Sequence, residues 1–386
     1  MSIAAGSQPV PVRDVPSRAP QTRPVMVWAT AGALMWIFQG YILLKWVTGP
    51  FFTPVVSGPD DPPTWMKTTI IGFGVLQGLF FVGVGYRTLV RPWLRERRVT
   101  FDGLMFTAFC GWFWFWDPLA NAFGLHFTYN AWIPNRGSWV NEIPGWGTPG
   151  VPGAQVPEPF LFSAPAYAGL FLLAVAGSVV IRKVMSTGRR GMFSALVICY
   201  LATFVLITAT EVLWIRLGFY AFPGSYKPWT LFPEHYYAYP LYESLFAGPL
   251  TAAAYLRHTL DDKGRSIAER GIERVGTRGS KNAIRLLAVT GWLYLTFLPL
   301  YWLPTWAILH HVGNFPMDIQ QRSYFTDHLC GPETNRACPG NNVPLFRPGS
   351  VTITPDGRVY VPPGVPPIDQ PQTFDEAKRR YQAGQR

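Results

Sequence analysis

Seven apolar runs, at 25–47, 67–88, 102–123, 161–182, 192–216, 239–257 and 284–309, dominate this chain of 386 residues. Each approaches or exceeds the ~20 residues a helix needs to cross a hydrocarbon core. In lipid the backbone amides and carbonyls have no water to bond, so runs of this length resolve as helices. A single such run could be the buried helix of a soluble domain. Seven in one chain predict an all-α membrane protein, a bundle of about seven transmembrane helices. Composition agrees: charged residues make up 14% of the chain, against about 25% in a soluble domain.

The net charge of +11 could suggest a nucleic-acid partner, but its distribution points elsewhere. With the amino terminus inside, the segments 13–23, 87–98, 182–190 and 257–285 hold 20 Lys and Arg, whereas the opposite loops hold five, Lys45, Lys67, Arg136, Arg216 and Lys227. That bias is the positive-inside pattern. The basic segments then meet anionic headgroups, and membrane lipid replaces nucleic acid as the expected partner. The chain reads as a multi-pass cell-membrane protein with a cytoplasmic amino terminus and, after an odd number of spans, an extracytoplasmic carboxyl terminus.

Three units are expected. Residues 1–24, rich in Pro, Ser and Arg, read as disordered. The transmembrane domain covers 25–311; its first run is too long for a signal h-region and no A-x-A-like site follows, so it reads as a retained anchor. The tail, 312–386, is Pro-rich, with a small hairpin from the alternation at 351–354 and 358–361 around Pro355-Asp356-Gly357, and a short charged helix over 374–381. Cys330 and Cys338 fall on the outer side and are a disulfide candidate. Cys110 and Cys199 lie inside spans and read as small apolar residues. The loops 124–160 and 217–238, aromatic and rich in amides, Gly and Pro, read as extracytoplasmic lids or binding surfaces; an aromatic belt at headgroup level is the plainer reading.

Within the spans, ionisable groups at membrane depth mark a functional site by default. Asp117 and Asn121 are four apart near the outer end of the third run, on one face if that run is an α-helix. Glu211 follows Thr208 in the outer half of the fifth, Glu243 opens the sixth after Tyr239 and Pro240, His310 closes the seventh, and Gln39 sits in the outer half of the first. Together they predict a one-sided polar chamber beneath the aromatic loops. Each has a plainer alternative: Asp117 bonding backbone groups freed by Pro118, Glu211 pairing with Arg216, Glu243 favouring the positive end of its own helix, His310 resting at the interface. Acids in a dry, aromatic chamber suit proton delivery, and ring faces stabilise a developing cation. Proton or cation transport would use similar acids. There is no HExxH, and no G-x-S-x-G elbow, Walker loop or G-x-G-x-x-G opens a helix, so neither a metal nor a cofactor is expected.

The runs WFWFWDPLANAFG (112–124), YNAWIPNRGSW (129–139), PGWGTPG (144–150), EVLWIRLGFYAFPG (211–224) and YPLYES (239–244) resemble the AveC-like spirocyclases of actinobacteria, a likeness that covers roughly 25–310. The resemblance implies a membrane enzyme of secondary metabolism that closes a spiroketal on a polyketide, with dehydratase activity also attributed to the family. The matching positions are Asp117, Asn121, Tyr129, Asn130, Asn135, Trp139, Glu211, Tyr220, Tyr239 and Glu243. The residues themselves suggest Asp117, Glu211 and Glu243 as the acids and bases of an acid-assisted ring closure or dehydration of an apolar, polyketide- or lipid-like small molecule. Asn121, Tyr129, Asn130, Asn135, Trp139, Tyr220, Tyr239 and His310 would hold that substrate. A lipid or small-molecule transporter or binding protein without catalysis is the alternative from another class, and an isoprenoid cyclase a third reading.

Overall fold

The computed structural model describes residues 23–122, 125–146, 155–309, 315–334, 338, 352–353, 359–360 and 373–384. Five helices are long and apolar enough to cross a bilayer, at Pro24–Thr48, Thr64–Glu96, Phe160–Ser186, Met192–Arg216 and Ser280–Leu309. They belong to α1 (Arg23–Thr48), α2 (Thr64–Gly85, continuing through a π turn at Tyr86–Val90 to Arg91–Glu96), α4 (Phe160–Ser186), α5 (Met192–Arg216) and α7 (Arg278–Phe297, continuing through a π turn at Leu298–Trp302 to Leu303–Leu309). Their outward faces leave Leu34, Leu79 and Val205 63%, 66% and 67% exposed. In water such faces would be costly; in lipid they are the surface the solvent requires. The chain is a membrane protein.

The third and sixth apolar runs are composite instead of single long α-helices. α3 (Phe101–Trp112) begins at a Thr100 cap whose hydroxyl accepts from the Gly103 amide. It gives way at Trp112 to a 3-10 stretch, Phe113–Asn121, that contains Pro118. Proline lacks the amide and crowds the carbonyl four residues back, so an α-helix cannot pass through it undisturbed. The sixth run opens with a 3-10 stretch, Leu241–Phe246, after Pro240, and continues as α6 (Ala247–His258). The expectation of seven long helices therefore resolves into five, with two mixed elements between them. The 3-10 winding of three residues per turn also sets Asp117 and Asn121 about 120° apart, so they do not share a face.

Close packing depends on small residues, as expected where helices meet in lipid. α1 crosses α7 at Gly32 and Gly291: a Cβ on either would lie 2.0 Å from a backbone oxygen of the other helix, Leu287 O or Trp28 O. α4 packs against α2, α3, α5 and α6. It meets α5 and α6 at Gly177, where a Cβ would lie 2.9 Å from both Cys199 Sγ and Ala254 Cβ. At the end of the bundle rich in Arg and Lys, Arg257 grips Asp102 with Nε and Nη2 at 2.7 and 2.8 Å, and Arg285 Nε donates to Glu269 at 2.5 Å.

The opposite end is roofed by the loops. β1 (Thr128–Tyr129) pairs antiparallel with β2 (Tyr220–Ala221), Tyr129 opposite Tyr220. β3 (Thr230–Leu231) pairs likewise with β4 (Tyr239–Pro240). Residues 125–131 and 218–225 are buried throughout, so these parts of the aromatic loops form core. Two one-turn helices, α8 (Met317–Gln320) and α9 (Ser323–Thr326), dock on top; the Ala131 amide donates to Tyr324 O at 2.9 Å. Cys330 and Cys338 form a disulfide with Cα atoms 5.1 Å apart. In the tail β5 (Thr352–Ile353) pairs with β6 (Val359–Tyr360), their connection lying outside the described residues, and α10 spans Phe374–Gly384.

Candidate active site

Beneath the roof lies a cavity of about 130 Å³ whose wall includes Asp117, Glu211 and Glu243. The three acids, far apart in sequence, thus share one space. Asp117 comes from the 3-10 stretch after α3, Glu211 from α5, and Glu243 from the 3-10 turn before α6. The rest of the wall is largely apolar, including Phe127, Phe162, Trp214 and Phe246, and holds no Lys or Arg among the described residues.

Each acid is met by tyrosine hydroxyls. Asp117 Oδ2 accepts from Tyr129 Oη at 3.2 Å, and Oδ1 accepts from Tyr167. Glu211 Oε2 accepts from Tyr220, and Glu243 Oε2 from Tyr301. The β1–β2 pairing explains two of these contacts. Tyr129 and Tyr220 are register partners with rings 5.9 Å apart, so one short ladder delivers hydroxyls to Asp117 and Glu211.

Glu243 has a further partner that the sequence did not suggest. His126, fully buried, approaches Glu243 Oε1 with Nε2 at 3.1 Å, while its Nδ1 lies 3.0 Å from Gly224 O. A carbonyl only accepts, so Nδ1 carries hydrogen. The Nε2–Oε1 contact then requires one proton between the two atoms, on either the carboxyl or the imidazole. The pair is a one-proton store in the cavity wall. Asn121 sets it up: Oδ1 accepts the His126 and Phe127 amides at 2.9 and 2.8 Å, and Nδ2 donates to Phe127 O at 2.8 Å.

Of the residues expected to hold substrate, Tyr129 and Tyr220 line the cavity. The others that are described lie elsewhere. Asn130 donates to Gly218 O at 2.9 Å and accepts the Trp132 amide at 3.0 Å. Asn135 exchanges bonds with Val55 N and O at 2.9 and 3.0 Å and also bonds the backbone of its own turn. Trp139 is fully buried, with Nε1 on Phe115 O at 2.9 Å. Tyr239 shares a hydrogen bond with Ser244 Oγ at 2.6 Å, which in turn meets Thr208 Oγ1 at 2.6 Å. Gln39 donates to Tyr294 Oη at 2.7 Å. His310 lies outside the described residues. Tyr167 and Tyr301 were missed, although each is a polar group inside an apolar run, the signal that singled out the acids. Among the described residues no three of His, Cys, Asp and Glu converge to hold a metal ion.

A family model, that of the AveC-like spirocyclases, matches residues 96–325, more than half of the chain. This protein belongs to the AveC-like spirocyclase family. The matched segment starts after the two first long helices, later than the likeness read from the motifs, and runs on to Phe325. It contains Asp117, His126, Glu211, Glu243 and Tyr301, and so all the acid groups of the cavity. No curated protein and no solved structure matches the chain.

Proposed function

We propose that the cavity is the active site of a cyclase or dehydratase that closes a ring on a polyketide- or lipid-like substrate by acid assistance. The observation that carries the reading is the meeting of three carboxyls in one cavity without Lys or Arg among the described residues, with Glu243 in contact with His126. In the scheme, the His126–Glu243 pair protonates the hydroxyl of a substrate hemiketal. The C–O bond breaks, water leaves, and an oxocarbenium ion remains. Asp117 or Glu211, as carboxylate, faces that charge, and the rings of Tyr129 and Trp214 add a weaker attraction. A second substrate hydroxyl attacks the carbon, its proton passes to the carboxylate, and the net change is loss of one water. Once the proton has left the pair, Nε2 and Oε1 face each other lone pair to lone pair, which drives the proton's return and resets the site.

The reading extends to topology. The basic end faces the cytoplasm, the cavity lies toward the outer face, and the two composite elements complete seven crossings. The positive-inside bias supports this, and the Cys330–Cys338 disulfide fits an oxidising outer compartment. Transport is less favoured because no Lys or Arg lines the cavity among the described residues and the wall beyond the acids is largely apolar. The wall residue Phe246 packs 4.9 Å from Phe297, which belongs to a ring cluster with Phe113 5.1 Å from Phe109 and 5.2 Å from Phe297. The test is complementation of a deletion strain with Asp117→Asn, Glu211→Gln and Glu243→Gln, the product followed by mass spectrometry. Full product from all three variants would sink the mechanism.

A further inference from the structure

We infer that the cavity opens sideways into the bilayer, through a window between α4 and α5, and draws its substrate from the membrane. The substrate is then an apolar chain bearing hydroxyl or carbonyl groups, dissolved in lipid. The inference rests on the cavity being the substrate site.

The roof is shut among the described residues: Phe127, Tyr129, Tyr220 and Phe222 are 9% exposed or less. On the side toward the basic end the wall residue Phe246 packs 4.9 Å from Phe297 of the Phe109–Phe113–Phe297 ring cluster. Between α4 and α5, however, two contacts bracket an interval whose cavity-lining residues keep partial exposure. The lower pinch is Gly177 against Cys199, a contact that a Cβ on Gly177 would block at 2.9 Å. The upper pinch is the Phe162–Trp214 ring contact at 6.3 Å, backed by Phe162 stacked on Phe219 at 4.8 Å. From 162 to 177 and from 199 to 214 each helix runs the same length, about 22 Å at 1.5 Å per residue. Ala166, Leu170 and Leu173 on α4 and Thr210 on α5 line the cavity within that interval and are half-buried, not sealed. Outside them Val205 and Leu213 continue the lipid-facing surface at 67% and 52% exposed. An opening framed by such residues on two spanning helices admits a lipid-soluble molecule and repels a hydrated one. Glu211, next to Thr210, is the first acid that such a molecule meets.

The test uses the full chain in phosphatidylcholine–phosphatidylglycerol nanodiscs. Ala166→Cys, on the cavity side of the window, is labelled with a nitroxide; the native thiols Cys110 and Cys199 are buried. Relaxation enhancement by oxygen, which concentrates in lipid, is compared with that by a water-soluble nickel chelate. The window predicts strong oxygen and weak nickel relaxation, as at a Val205→Cys control. Equal or stronger nickel relaxation, or protection from both, overturns it. This readout needs no catalysis, so it stands or falls separately from the carboxyl variants. As a second arm, Thr210→Trp should abolish product formation while Leu213→Trp, on the outer face of the same helix, leaves it unchanged. Unchanged product from Thr210→Trp counts against the window.

Discussion

At the basic end of the bundle Glu269 meets Arg285 and Asp102 meets Arg257, whereas in the cavity Asp117, Glu211 and Glu243 meet tyrosine hydroxyls and one imidazole. Both ends bury carboxyl groups, and the difference lies in what stands opposite. Glu269 is fully buried, yet its oxygens are occupied by a guanidinium, the Ser266 amide at 2.7 Å and the Ser266 hydroxyl at 2.8 Å. A guanidinium does not release its proton, so that acid faces a permanent cation and serves the fold. Tyrosine and imidazole are neutral partners that leave an acid able to gain or lose a proton. On the proposed function, one chain thus keeps structural acids and proton-transferring ones at opposite ends.

The sharpest way to break this comparison is Glu243→Gln. The amide keeps the shape and can still bond Tyr301 and His126 but cannot transfer a proton. Product formation should fall about 100-fold or more, the usual share of general acid catalysis, with thermal unfolding little changed. A large drop in melting temperature would instead make Glu243 structural like Glu269. Arg285→Ala tests the other end. It leaves Glu269 buried and unpaired, and should destabilise the protein by about 3 kcal/mol, seen by thermal unfolding in detergent. A neutral outcome would erase the distinction between the two ends. Gly291→Ala probes the α1–α7 crossing that holds the basic end closed. Its methyl meets Trp28 O, so a loss of roughly 1–3 kcal/mol is expected by the same assay.

The smallest effect concerns Asp327 in the roof, outside the spans. Burial pushes its carboxyl well above the ordinary range and the charge of Glu333 adds to this, while the Thr128 hydrogen bond opposes it. Oδ1 has no partner. The folded state therefore holds this proton more tightly than the unfolded chain. Its stabilising contribution is complete below about pH 4, the unfolded value, and is lost as pH rises toward the raised folded value. Asp327→Asn should flatten that slope and raise the melting temperature at pH 8; asparagine also accepts the φ of +52° at this position. An unchanged slope would place Asp327 with the structural acids.

How much was legible in the sequence follows from which signals are local. Apolar length is local, and the five long helices follow from it. The breaks at Trp112 and before Ala247 do not show in hydropathy, because Trp, Phe and Leu are equally apolar in a 3-10 turn and an α-helix; Pro118 and Pro240 were the available hints. The acids stood out because a charge inside an apolar run is anomalous wherever it falls. His126 stood in an aromatic loop between Leu125 and Phe127, outside the apolar runs, and its contact with Glu243 spans 117 positions, so no window or spacing could pair them. Asn130 and Asn135 misled for the converse reason. An amide in an aromatic loop looks poised for a ligand, yet a loop buried as core must satisfy its own backbone first, and these two side chains do so.

The roof has a consequence for biogenesis. Its hydrogen bonds join the strand at Thr128–Tyr129 to Tyr220–Ala221 and the Ala131 amide to Tyr324, three stretches that leave the ribosome far apart in time. At about 5–20 residues per second, the first waits roughly 10–40 s for the last. The Tyr129–Tyr220 pair, with the Tyr220 hydroxyl on Glu211, can form once residue 221 is made, but the Ala131–Tyr324 part of the roof stays open until the last stretch arrives. Assembly of this protein is therefore a race between closure of the roof and whatever lipid or chaperone reaches the open site first.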